Sequence, residues 1–102
     1  LKKFDIRDMK AHEYDQRARN VFYETPEFKM RVIDLPPGGG VPSCEMASHV
    51  VFVCVDGEAA VTVDGEEAML FAAQGIVTEP ATVSMRTETG ARLLGIQITS
   101  QQ

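Results

Sequence analysis

The alternation of apolar and polar positions is clearest from residue 28 onward. Phe28, Met30 and Val32 alternate with Lys29, Arg31 and Ile33, the period of two that predicts a strand. Pro36-Pro37-Gly38-Gly39-Gly40 stops it, and the polar stretch from Val41 to Ser48 is predicted as a loop. His49–Val55 is almost continuously apolar, which implies a strand covered on both faces, and it ends at Asp56-Gly57. Ala59–Val63 is predicted as a further strand, and Ala68–Phe71 returns from it. Between them Asp64-Gly65 predicts a type I′ hairpin turn, whose two central residues both need φ > 0. Gly75 opens the run Ile76-Val77-Thr78, which Pro80 stops. Val83–Thr87 is a more polar strand, Thr89-Gly90 turns it, and Arg92–Ile98 is the final apolar strand. Upstream, Val21-Phe22-Tyr23 is a short β-prone run closed by Glu24-Thr25-Pro26. Residues 1–20 are charged and weakly patterned, an arm with room for one short strand near Phe4–Ile6. Short strands separated by turn residues, with no helical pattern of a dozen residues, predict an all-β sandwich or barrel. The expected organisation is an arm over residues 1–20 and a single β-domain over residues 21–102.

Composition narrows this picture. With 102 residues there is room for one core, and a chain of this size buries roughly 60–65% of its unfolded surface. Apolar residues make up 44% and charged residues 25%, the balance of a globular domain rather than a disordered one. No apolar run approaches the roughly 20 residues of a membrane span. Leu1-Lys2-Lys3-Phe4-Asp5 has no apolar stretch behind its lysines, so no signal peptide is expected. The net charge of −5 repels phosphate backbones and argues against a nucleic-acid partner. The basic residues of the arm, Lys2, Lys3, Arg7, Lys10, Arg17 and Arg19, are interspersed with Asp5, Asp8, Glu13 and Asp15, as in a solvated segment. Cys44 and Cys54 form no CxxC pair. They are expected as free thiols in a reducing, cytoplasmic setting, Cys54 in the core and Cys44 among polar neighbours.

The turn skeleton from Pro36 to Ile98 resembles the cupin superfamily, and within it the small RmlC-like barrels. These have two short motifs separated by a hairpin. Gly38-Gly39-Gly40 stands before the first motif, and His49–Val55 runs into Asp56-Gly57. Ala60-Val61-Thr62-Val63-Asp64-Gly65-Glu66-Glu67 is similar to the intermotif hairpin, and Gly75-Ile76-Val77-Thr78-Glu79-Pro80-Ala81 to the opening of the second motif. Leu93-Leu94-Gly95-Ile96 is similar to its closing strand. The resemblance implies a double-stranded β-helix, or jelly-roll barrel. It also implies places for two histidines and a glutamate in the first motif and a last histidine in the second. Counted back from Gly57, the first three fall on Cys44, Met46 and Val50, and the fourth falls near Val83 or Ser84. A hard divalent iron, manganese or nickel ion wants imidazole and carboxylate together, so the usual histidine-based metal site is not expected.

The candidate pocket residues are Cys44, Met46, His49, Phe52, Met69 and Ser84, with Phe71, Val83 and Met85 as further apolar lining. No cofactor is favoured. If a divalent or soft metal such as Cu(I) or Zn(II) is held at all, His49, Cys44 and Glu45 are the residues to hold it. His49 is otherwise a general-base candidate, and Cys44 becomes a nucleophile only if His49 or His12 approaches it. No phosphate loop, dinucleotide fingerprint or Ser-His-Asp pattern names a substrate. The expected function is a cupin-fold module that binds a small organic ligand or provides a dimerisation surface, with a second copy of itself as partner. The alternative is a metalloenzyme of oxygenase, isomerase or lyase type with an atypical centre around His49.

Overall fold

The computed structural model describes residues 1–99. After the arm come eight strands: β1 (Val21–Glu24), β2 (Phe28–Leu35), β3 (Gly40–Met46), β4 (His49–Val63), β5 (Glu66–Phe71), β6 (Gly75–Thr78), β7 (Ala81–Arg86) and β8 (Ala91–Ile98). Every pairing is antiparallel, in the order β1-β2-β8-β4-β7-β3, with β5 and β6 also paired to β4. The chain is an all-β barrel.

β4 organises the barrel. Its first half pairs with β8 and β6, and its second half with β7 and β5. The stretch expected as two strands broken at Asp56-Gly57 is therefore one strand that changes sheet. The register slips between Cys54 and Asp56, and Gly57 takes φ +78°. A Cβ at position 57 would run into the Gly90 carbonyl, so close backbone packing as well as the positive φ requires glycine there. The Asp64-Gly65 turn has φ of +47° and +85°, as the type I′ expectation demands.

Two further expectations are corrected. The predicted loop Val41–Ser48 is largely β3, paired with β7 from Gly40↔Arg86 to Met46↔Ala81. Its register slips between Val41 and Cys44, around Pro42, which has no N–H to give a ladder. A polar strand at the edge of a sheet has no local hydrophobic pattern to announce it. The arm has no strand near Phe4–Ile6; it makes a turn at residues 6–8 and a 3-10 segment at Tyr14–Asn20. Side chains hold it down instead. The Arg92 guanidinium donates to the carbonyls of Ile6 at 2.9 Å and Met9 at 2.6 Å, and pairs with Asp34 at 3.1 Å. Phe4 packs on Phe22 with ring centroids 4.8 Å apart.

The core follows strand periodicity. Val50, Phe52 and Cys54 of β4 point inward and pack with Val61, Leu70, Val83, Met85 and Leu93. Each such side chain contributes about 1.5–3 kcal/mol when fully buried.

Candidate functional site

The path of strands leaves a gap. β3 ends it on one side, and on the other β1 reaches only as far as Arg31 along β2, so among the described residues the edge of Val32–Leu35 has no strand partner on that side. A cavity of about 520 Å³ opens there, lined by β2, by Gly40, Val41, Cys44 and Met46 of β3, and by arm residues Ala11–Tyr14, Arg17 and Asn20. One buried side chain closes the arm on itself beside the mouth. Asn20 Oδ1 accepts from the His12 backbone N–H at 2.7 Å, and Asn20 Nδ2 donates to the His12 carbonyl at 3.0 Å.

Below the mouth the wall is hydrocarbon and thioether: Met46, Val50, Phe52, Val83 and Met85. Gly95 on β8 marks how tightly β2 and β4 converge on it. A Cβ there would lie 3.3 Å from Arg31 Cγ and Ile33 Cδ1 and 3.5 Å from Phe52 Cε1. The aliphatic stem of Arg31 is therefore inside the barrel, beside Ile33 and Phe52. Arg31 is half-buried and has no hydrogen-bond or ion-pair partner among the described residues. Burial and then the nearby Arg17 push its pKa below the usual arginine value, although a guanidinium keeps its charge in proteins. Arg17 lies 4.4 Å over the Tyr14 ring and donates to the Tyr14 carbonyl at 3.2 Å. Burial, with Arg19 and Lys10, pulls the His12 pKa below its usual value. The mouth thus carries Arg31, Arg17 and His12 against Glu13 and an Asp34 already bound to Arg92.

Of the residues expected in the pocket, Cys44, Met46 and Phe52 line the cavity together. His49, Met69, Phe71 and Ser84 do not, and strand parity is the reason. His49 is exposed on the outer face of β4 opposite Ile98, one position out of phase with Val50. Ser84 lies between the inward Val83 and Met85, and Met69, 46% exposed, precedes the inward Leu70. The expected metal set also separates. Glu45 sits opposite Thr82 with parity opposite to Cys44 and Met46, and His49 is on the outer face. Among the described residues no three His, Cys, Asp or Glu side chains are grouped to hold a metal ion. The four places where the resemblance puts ligands do converge, since Cys44, Met46, Val50 and Val83 all line the cavity, with Val83 rather than Ser84 facing inward. A thiol, a thioether and two hydrocarbons do not fit a hard divalent ion. His12 shares the cavity with Cys44, yet the Cys44 thiol is directed at the Glu45 carbonyl at 3.7 Å, not at an imidazole.

Arg31, Gln97 and the Asn20–His12 pair line the cavity outside the set of pocket residues expected from the sequence, and Gly95 was expected only as part of a strand. Arg31 shares its parity with Ile33 and Leu35, and a charge within that set was the one available signal. Hydrophobicity favours the other set, Phe28, Met30 and Val32, as the inner one. Asn20 carries no local signal, because its partner is eight residues away.

Similarity to solved structures agrees with this architecture. A cupin superfamily protein from Desulfitobacterium hafniense superposes with a TM-score of 0.73 at 14% identity, over 78% of this chain and 74% of that one. An RmlC-like cupin from Shewanella frigidimarina gives 0.71 at 21% identity, over 78% and 72%. Salicylate 1,2-dioxygenase from Pseudaminobacter salicylatoxidans gives 0.67 at 22% identity, over 71% of this chain but 21% of that one. No family model and no curated protein matches the sequence itself. The protein has the cupin fold, and at these identities the likeness is one of fold.

Proposed function

We propose that this chain is a cupin-fold module that binds a small organic molecule in its barrel and works as a homodimer. The observation that carries the first part is the cavity of about 520 Å³. It lies within the size range of small-molecule sites, and its apolar wall with a few polar groups at one end has their usual make-up. A thermal-shift screen of small organic compounds tests it, with Val41→Trp, at the half-buried rim, as the blocked control. Compounds that raise the melting temperature of the native chain and not of the Val41→Trp chain are expected. A screen with no such compound, or stoichiometric metal in protein purified without an affinity tag, would overturn the reading.

The dimer rests on a second observation. The register aligns Val77, Val51, Ile96 and Met30 in one row across the outer face of β6, β4, β8 and β2. Val77 is 74% exposed, and Ile98, at the end of the next row, is 42% exposed. An apolar row of this kind can be matched by a second copy about a two-fold axis, since both partners present the same surface. Light scattering on a sizing column at micromolar concentration is expected to return twice the chain mass. A monomer there rules the dimer out.

A further inference from the structure

We propose that the cavity selects a small monocarboxylate with an apolar body, its carboxylate held by the Arg31 guanidinium and its body by Met46, Val50, Phe52 and Met85. The inference rests on the reading of the cavity as a ligand site and names the class of ligand. Four observations on the wall lead to it.

Arg31 is half-buried in the cavity wall, with its Cγ beside Gly95 where Ile33 and Phe52 also approach. Among the described residues it has no ion-pair partner, and Glu24 acts on it only from beyond ion-pair distance. Asp34 is bound by Arg92 at 3.1 Å, Glu24 faces Lys29 at 3.6 Å, and Glu13 stands exposed on the arm without a bond to it. Arg17, on the same cavity, adds a second positive charge instead of relieving the first. A half-buried cation without a partner is costly, and a ligand anion would offset that cost.

The shape of the anion follows from the donor. A guanidinium presents parallel N–H groups that match the two oxygens of a carboxylate. Arg17 is engaged by the Tyr14 ring and carbonyl, and the wall below Arg31 offers hydrocarbon and thioether, so a dianion such as a phosphate would meet a single unengaged guanidinium. One charge at one end of an apolar body is the complement of this cavity.

The test is calorimetric titration of matched acid and alcohol pairs: phenylacetate, 3-phenylpropionate, hexanoate and octanoate, each against its alcohol. The native chain is expected to bind the best acid at least about tenfold more tightly than its alcohol, as for a hydrogen bond to a charged group. Arg31→Met should remove that preference by weakening the acid far more than its alcohol, and Arg31→Lys should retain part of it. Gly95→Ala, which presses on the Arg31 stem, should weaken the acid more than the alcohol and serves if Arg31→Met does not fold. Equal binding of acid and alcohol by the native chain, or an acid preference that survives in Arg31→Met, overturns the inference while the ligand cavity stands. No binding by any pair at millimolar concentration overturns both.

Discussion

Along β4 successive side chains go to two surfaces that share a composition and differ in what they meet. Val50, Phe52 and Cys54 face the interior, where Val50 and Phe52 border a cavity whose wall includes the cation Arg31. Val51, Val53 and Val55 face outward, half-buried, in a sheet whose edge residue Val77 is open to solvent. Valine occurs on both faces, so residue type marks only that each will be covered. The charge decides the rest. A half-buried cation within an apolar wall favours a small anionic partner, whereas a row of Val, Ile and Met across four strands favours a partner with the same surface.

The contrast is broken most strongly at the core. Leu93→Ala, at a site with no exposed surface, should lower unfolding free energy by about 2–5 kcal/mol. Val77→Ala should change that of the dissociated chain by less than about 0.5 kcal/mol. Urea unfolding at submicromolar concentration compares the two, and equal losses would show that the outer face is part of the core of a single chain.

A smaller effect is expected from Val77→Asp. Two like charges brought together by the two-fold axis should weaken the dimer at least about tenfold, read by sedimentation, while circular dichroism stays unchanged. Loss of the β spectrum instead would mean that the row supports the fold rather than an interface.

The smallest effect concerns the corner where β4 changes sheet. Glu58 Oε1 accepts from the backbone N–H of Glu88 at 3.0 Å and of Thr89 at 3.1 Å, and from the hydroxyls of Thr89 and Thr87, each at 3.1 Å. The Thr89 and Glu88 backbone bonds, the largest causes, hold its pKa below the usual carboxylate value of 4.5. A lowered folded-state pKa means that this stabilisation is fully present above the usual value and is lost as pH falls through the lowered one. Native protein should therefore lose urea resistance over that acidic window more steeply than Glu58→Gln does. Parallel acid limbs would show that the carboxylate does not tie the corner.

How much was legible depended on how far each feature reached along the chain. The Asp64-Gly65 turn, the run of β4 and the strands at Gly75 and Arg92 are written in neighbouring residues. β3 was missed because Gly40–Met46 becomes a strand only by pairing with Ala81–Arg86, some forty residues on. His49, Ser84 and Met69 were misplaced by a single position each, because in a strand one step of phase moves a side chain to the opposite face. Arg31 was overlooked because β2 turns its less apolar set inward, beside the space that Gly95 leaves.

The sequence by itself determined that this is a small all-β barrel with a cupin turn skeleton and that the usual histidine ligands are missing, since turns, alternation and residue identity are local properties. Only the tertiary structure decided that Cys44, Met46, Val50 and Val83 line an apolar cavity, that Arg31 enters it, and that Asn20 bonds back to His12 beside its mouth. Each of those facts depends on which strands end the sheet and on which face each strand turns inward, and backbone pairing between distant segments sets both.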